Sequence, residues 1–316
     1  ENIKFSRPKS IDQGDLQEME KKCRSVVGAG AEEVVDVVPF AYYVDKESEV
    51  NPVGVTATRL DVHYHVYVAR SSELRDLRAM FANLGVDKID FYSMAGAAQK
   101  ALTTAGADIC TFALLDLGAD SIKVQVFQDG LVYFDEELPL GCSTIDGDIN
   151  TAFSINDMEK TRKLKEEFGM ALRASCKNRK IMIHDTKYCI DSHDLVHVEQ
   201  YRLEDLLEGA IFQFQESGCY EDLDDGILLT GGGCQVAGIE VLLSKLSGHS
   251  VGFAKVASVN ADRVARLQSP AYFTALGLLQ CERREVKKTT SGSWLSNFIN
   301  DSMFTAHSAQ PTEKSL

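Results

Sequence analysis

An α/β fold is what this sequence predicts, and three observations carry it. The first is an apolar run that enters three consecutive glycines, Leu228-Leu229-Thr230-Gly231-Gly232-Gly233, with an amphipathic segment behind it at 236–246. That pattern reads as a buried strand, a tight turn and a helix start. The second is a stretch at 60–68 in which Leu60, Val62, Tyr64 and Val66 alternate with Asp61, His63 and His65, followed by a helical stripe of Leu74, Leu77, Phe81 and Leu84. The third is a pair of β-like runs at 111–134 around Asp129-Gly130, a strong hairpin turn signal.

The elements follow in order. Residues 10–27 fit a helix capped by Ser10 or Asp12, with Leu16, Met19, Cys23 and Val26 on one face. Residues 34–44 are strongly β-like, and Pro39 inside them points to an edge position or a bulge. A charged loop at 45–54 leads to the alternating strand, then to a helix at 72–84 that Gly85 would close. A short strand at 88–92 and a small-residue helix at 94–102 come next, giving the strand–helix alternation of an α/β layer. Within the hairpin, Phe112-Ala113-Leu114-Leu115 has the composition of a strand buried on both faces, and Ile122, Val124 and Val126 alternate with Lys123 and Gln125. Charged helices are expected at 157–172, with Ser154 and Asp157 as a capping arrangement, and at 201–216; another apolar helix fits 270–281. Beyond Glu282 the sequence turns polar and Ser-rich, so the folded body is expected to end there.

Composition bounds the function. The chain has 316 residues, 44% hydrophobic and 25% charged, enough for about two soluble domains. A net charge of −14 argues against broad nucleic-acid binding, which needs cations to displace counterions from phosphates. The eight cysteines are scattered with no C-x-x-C pair, so zinc and dithiol chemistry are disfavoured and a reducing cytosol is the simplest fit. No apolar run is long enough to span a bilayer. The chain opens on Glu1 rather than Met, as a fragment with its natural start upstream would. His193 and His197 lie four apart in a pattern read as strand-like, with no third ligand in view, and no catalytic triad is legible.

The glycine corner at 231–233 is the chemical centre of the sequence. Three missing side chains let a flat ligand lie against peptide planes, and glycine loops at helix starts favour phosphates and sugars, so a nucleotide is the first candidate. Taken alone, the same residues fit an ordinary strand–turn–helix corner equally well.

Four segments together resemble the FtsA family of actin-like bacterial cell-division proteins. Asn51-Pro52-Val53-Gly54 with Arg59-Leu60 is similar to its D-P-x-G-M-x-G-x-R-L segment. Leu138-Pro139-Leu140-Gly141 with Asp148 resembles I-P-x-G-G-x-x-I-T-x-D-I. Residues 164–169 resemble L-K-x-x-Y-G, and residues 228–233 resemble the L-T-G-G-G adenosine loop.

The resemblance implies an actin-like (ribonuclease H-like, Hsp70-type) two-lobed ATPase fold with an incomplete first lobe. Residues 1–66 would be a small inserted subdomain, 67–108 the rest of lobe one, and 109–150 and 226–281 the core of lobe two. Residues 151–225 would be its upper part and 282–316 a linker and amphipathic tail. It implies ATP, with Mg held only through that ATP, as a structural ligand rather than a turned-over substrate, at most weakly hydrolysed. Asp116 would orient Mg, Gly118, Ser121 and Gly141 would meet phosphate, Lys165 the ribose or base, and Gly231, Gly232 and Gly233 the adenosine. It implies self-association into protofilaments and binding of the FtsZ C-terminal tail, with Arg202 as a contact in a segment similar to R-x-E-E-I. It also implies peripheral attachment to the inner face of the cell membrane at the division site. Trp294, Leu295, Phe298 and Ile299 would form the inserting face and Arg283, Arg284, Lys287 and Lys288 would meet anionic lipid, although Asp301 interrupts the segment.

The match departs from the family in two places. Nothing in residues 1–50 supplies the first phosphate hairpin, D-I-G-T-S. The second, D-I-G-G-G-T-T-D, stands here as Asp116-Leu117-Gly118-Ala119-Asp120-Ser121-Ile122-Lys123, so Asp120 would repel a phosphate by roughly 4 kcal/mol at 4 Å and an effective dielectric of 20. Arg162 also replaces a ribose-side Glu. Three rivals therefore stay open: a scaffold similar to the pilus-assembly protein PilM, an actin-like scaffold that has lost its nucleotide, and an enzyme of the sugar-kinase or ATPase type, for which no base is visible.

Overall fold

The computed structural model of the chain describes residues 1–26, 31–86, 88–103, 111–183, 188–256 and 269–282. The residues up to Cys281 form one compact unit.

The first part is an antiparallel sheet of order β1-β4-β2-β3, made from β1 (Asn2–Ser10), β2 (Glu32–Val44), β3 (Glu47–Glu49) and β4 (Thr56–Arg70). The alternation predicted at 60–68 places Leu60 and Val62 in its core, where Ile11, Met19 of α1 (Gln13–Val26), Val44 and Ala57 join them. Asp12 starts α1: its Oδ1 accepts from the backbone N–H of Gly14 and Asp15 at 2.8 and 3.1 Å. The register of β2 on β4 shifts between Pro39 and Ala41, the bulge that proline announced. β2 is not an edge strand, but β3 pairs only with Tyr42, Tyr43 and Val44, so Pro39 has no second neighbour strand.

The second sheet has the order β11-β10-β5-β6-β7, with β5 (Thr111–Leu117), β6 (Ile122–Gln128), β7 (Leu131–Leu138), β10 (Ile227–Thr230) and β11 (Val251–Phe253). β10 runs parallel to β5 and β11; β5, β6 and β7 form an antiparallel meander. Asp129 and Gly130 take φ of 54° and 77°, the left-handed pair that a two-residue hairpin needs. A separate two-stranded ribbon joins β8 (Lys180–Met182) to β9 (Cys189–Asp191).

β5 is buried on both faces, which explains its continuous apolar run. Ala113, Leu115 and Leu117 face the larger core, with Ile145 of α4 (Ser143–Ala152), Leu164 of α5 (Met158–Phe168), Leu203 and Leu207 of α6 (Ser192–Glu216) and Leu242 of α7 (Ile239–Ser247). Phe112 and Leu114 face the smaller core, with Ala98 and Ala101 of α3 (Met94–Thr103) and Phe273 of α8 (Phe273–Glu282). The first sheet reaches this body through side chains: the Tyr67 hydroxyl donates to Asp135 Oδ2 at 2.8 Å and His65 Nε2 lies 3.0 Å from the Val132 carbonyl.

Four expectations are corrected. Residues 88–92 form no strand, because no described strand lies beside them. In α2 (Ser71–Ala82) only Leu74 is buried; Leu77, Phe81 and Leu84 are exposed, since no described element covers that face. α6 begins at Ser192, so His193 and His197 sit on a helix, as Leu195, Val196 and Leu203 at helical spacing require. Asp157, not Ser154, caps α5, accepting from the N–H of Glu159 and Lys160.

α3 and α8 cross where Gly277 lies against Ala97: a Cβ on Gly277 would strike the Ala97 carbonyl. Gly277→Ala is therefore expected to lower the unfolding free energy by about 1–3 kcal/mol, read from the urea midpoint. An unchanged midpoint would contradict the contact.

Candidate ligand site at the glycine corner

Three backbone segments converge at the ends of the central strands. Parallel pairing of β10 with β5 sets Thr230 opposite Asp116, so the corner that follows Thr230 lies beside the turn that follows Leu117. Gly231, at φ 85°, has room only for hydrogen on that side: a Cβ would strike the Asp116 carboxylate and the Leu117 backbone. A Cβ on Gly233 would lie 2.5 Å from Cys142 Sγ. These two glycines serve the packing of the chain on itself, whereas Gly232 has nothing within 4 Å of its Cβ position and leaves an open peptide face. The corner then makes a short 3₁₀ turn, Gly232–Gln235, before α7 starts after Gly238.

The β5–β6 turn packs on the start of α4. Gly141 lies against the Ala119 carbonyl with no space for a side chain. The N–H of Cys142 donates to Gly118 O at 2.9 Å, that of Ser143 to Ala119 O at 2.8 Å, and the Ser143 hydroxyl to Asp120 Oδ1 at 3.1 Å. The Gly118 N–H closes the turn on Ser121 O at 3.1 Å. The Ser121 hydroxyl bonds Glu137 and, with Lys123, holds that carboxyl below its ordinary range. Lys123 Nζ lies 3.3 Å from Glu137 and 3.8 Å from Asp135, turned away from the corner. Asp116 accepts from the Thr274 hydroxyl at 3.2 Å, and burial pushes its pKa up.

A charged cluster, largely buried except for Arg162, lies behind the start of α4. Lys165 Nζ is 2.6 Å from Asp146 Oδ1 and donates to Cys142 O at 3.2 Å; Arg162 Nε is 3.9 Å from Asp146 Oδ2. Glu199 is fully buried: Oε2 accepts from the Met170 N–H at 2.8 Å, while Oε1 has no hydrogen-bond partner. Burial pushes Glu199 up to about 8, against the pull of the Met170 N–H and Lys165. A side chain on Gly169 would strike that carboxylate. Met170 bridges to Ala237, and the Ala171 N–H donates to Ala237 O at 2.9 Å, which ties the exit of α5 to the exit of the glycine corner. The Cys142 and Cys234 thiols are pushed up to about 11, chiefly by burial, and are poor nucleophiles.

The residues singled out in the sequence thus divide. Asp116, Gly118, Ser121, Gly141, Gly231, Gly232 and Gly233 meet at one place, and Lys165 lies behind it, paired to Asp146. Arg202 sits apart on α6, forked onto Asp148 at 2.5 and 3.1 Å, with Asp205 at 3.4 Å. Trp294, Leu295, Phe298 and Ile299 lie outside the described residues. Among the described residues no cluster of His, Cys, Asp and Glu fits a metal ion, and no helix is long and apolar enough to cross a membrane. For ATP with Mg, the open face at Gly232 fits a flat purine. The turn fits the triphosphate poorly: carbonyls occupy the N–H groups of Cys142, Ser143 and Thr144, two carboxylates stand near, and Lys123 and Lys165 are both paired.

The parallel–antiparallel sheet between helical layers defines the class: the chain has the actin-like ATPase fold. Solved structures share it, among them a PilM–PilN type IV pilus biogenesis complex (TM-score 0.55, 17% identity, 89% of this chain and 77% of the other). Another is MreB5 of Spiroplasma citri bound to ADP (TM-score 0.51, 13% identity, 69% and 67%). Within that class the chain belongs to the FtsA family. The profile described as cell division protein FtsA matches residues 113–277, and that of the SHS2 domain inserted in FtsA matches residues 2–68. FtsA of Bacillus subtilis (strain 168) is 25% identical over 288 residues, which cover 89% of this chain and 64% of that protein. FtsA of Escherichia coli (strain K12) is 23% identical over 309 residues, covering 90% and 73%. The chain spans about two thirds of the length of such relatives.

Sequence reasoning missed Asp146 and Glu199. Glu199 carried a signal: it falls in the apolar row Leu195, Val196, Leu203 of α6, where a charge has no water. With its folded-state pKa above the ordinary carboxyl value, the folded chain keeps a proton that the unfolded chain releases. Stability conferred by that proton is therefore lost as pH rises from about 4.5 to about 8 and is constant above. Glu199→Gln is expected to remove this slope and to stabilise the chain by roughly 1–3 kcal/mol at alkaline pH, measured by urea unfolding from pH 5 to 9. An unaltered slope would place the buried proton elsewhere.

Proposed function

We propose that the chain is a cell-division scaffold that self-associates and links FtsZ filaments to the cytoplasmic face of the membrane at the division site. The observation that carries this reading is the order of the two family matches along one chain, the inserted SHS2 domain before the FtsA body. The PilM-type reading shares the fold, whereas the two family matches reported above are both to FtsA. Nucleotide takes a supporting role at most: Gly232 offers a purine its peptide face, and a bound nucleotide would supply a bridge between lobes rather than a substrate to be turned over. The chain's own residues already hold the β5–β6 turn, α4 and the corner together.

α6 is the stiff element on which a partner tail would bear. It is 25 residues long, anchored by ten buried positions along its length, and cross-linked to α4 through Arg202 and Asp148. Arg202 is half-exposed and its guanidinium nitrogens already face Asp148 and Asp205, so an acidic tail would share the cation with Asp205 on its exposed side while Asp148 fixes its direction. The basic, aromatic segment after Glu282 is the membrane-facing part of the proposal.

A labelled FtsZ C-terminal peptide titrated with the chain tests the partner by fluorescence anisotropy. Saturable binding with Kd of roughly micromolar order is expected, weakened at least ~10-fold by Arg202→Ala and less by Asp148→Asn, which keeps the cation. Equal losses would reduce Arg202 to an internal strut, and absence of wild-type binding would overturn the partner. In flotation with vesicles containing anionic lipid, the full chain is expected to rise and a chain ending at Glu282 to stay at the bottom. Equal flotation would remove the tail from the account.

A further inference from the structure

We infer that the anion-favouring start of α4 is filled by the chain's own carbonyls, with the Asp120 carboxylate standing at its mouth, so that this cleft closes without a triphosphate. The first N–H groups of a helix have no partner within the helix and carry its positive end, which makes them an anion seat. Here the first residues of α4 lack any cap from their own side chains: Cys142, at the N-cap position, makes none. The cap comes from the β5–β6 turn instead. Gly118 and Ala119 present their carbonyls to the N–H groups of Cys142 and Ser143, and Asp120 takes the Ser143 hydroxyl.

This arrangement fills the seat in three ways. The N–H groups of Cys142, Ser143 and Thr144 at the start of α4 are used by the carbonyls of Gly118, Ala119 and Gly141. Gly141, pressed on the Ala119 carbonyl, leaves no gap between turn and helix. The charge is also already supplied: Asp120 stands at the mouth and Asp116 behind it, while the neighbouring cations are bound to Asp135, Glu137 and Asp146. A phosphate would have to break the turn–helix bonds and face an uncompensated carboxylate. At 4 Å and an effective dielectric of 20, one such like-charge contact amounts to about 10³-fold in affinity, and the exposure of Asp120 reduces this toward 10-fold. Asp120 is thus a specificity-determining residue that admits the uncharged end of a nucleotide at Gly232 and refuses the phosphate end.

The inference rests on the actin-like reading of the cleft and is independent of the partner assignment. Isothermal titration of the full chain with Mg·ATP and with inorganic pyrophosphate tests it, comparing wild type with Asp120→Asn and Asp120→Gly, each checked for an unchanged melting curve. Both variants are expected to bind Mg·ATP at least ~10-fold more tightly than wild type, and pyrophosphate in the same order. Variants that bind no better than wild type would overturn the role of Asp120, whether wild type binds or not; weaker binding by the variants would mean that Asp120 assists the metal. Binding of the FtsZ tail peptide by the same preparations, measured without nucleotide, reports separately on the proposed function.

Discussion

The register of β10 on β5 is the constraint on which the rest of this structure depends. Thr230 opposite Asp116 brings the end of one parallel strand level with the end of its neighbour, and the candidate ligand site is built just beyond. Gly231 and Gly233 are the residues that let the two chain segments touch there, one against Asp116 and Leu117, the other against Leu117 and Cys142. A one-residue slip would move Leu229 out of the larger core and turn the glycine corner away from the β5–β6 turn. The core on one side of β5 and the α3–α8 crossing on the other hold that register by burying Leu115 and Leu117 on one face and Phe112 and Leu114 on the opposite one.

From this geometry follows a cleft that is largely self-satisfied. The N–H groups of Cys142, Ser143 and Thr144 at the start of α4 are bonded to carbonyls of the β5–β6 turn and of Gly141. The cation expected to point at a ribose, Lys165, is held between the Asp146 carboxylate and the Cys142 carbonyl. The buried proton on Glu199 completes the arrangement, because Asp146 and Glu199 ionised together would leave Lys165 facing two buried carboxylates. A body closed by its own contacts suits the scaffold role proposed above.

Much of the fold was legible because its signals are local. Asp129-Gly130, the alternation at 60–68 and the apolar run of β5 each state their own conformation, whereas the helix expected to close at Gly85 ends earlier, with Asn83 as its C-cap. The failures have a common cause, the dependence of an element on neighbours. Residues 88–92 have strand composition but no described strand beside them, and α2 has an apolar stripe that nothing described covers. The true length of α6 was hidden by two histidines in its first turns, although Leu195 and Val196 were in step with Leu203. The candidate site was located from Gly231–Gly233 and Asp116, yet the partners of its polar groups were not. Asp120 with Ser143, Ser121 with Glu137 and Lys165 with Asp146 are contacts between residues up to 23 positions apart, and no local pattern encodes them.

The central claim is that the start of α4 is occupied by the chain's own oxygens. Amide hydrogen exchange at Cys142 and Ser143, followed by NMR with and without saturating Mg·ATP, measures this directly. The account expects strong protection of both amides in the free protein and no change on adding nucleotide. Rapid exchange in the free protein that slows when Mg·ATP is added would contradict it.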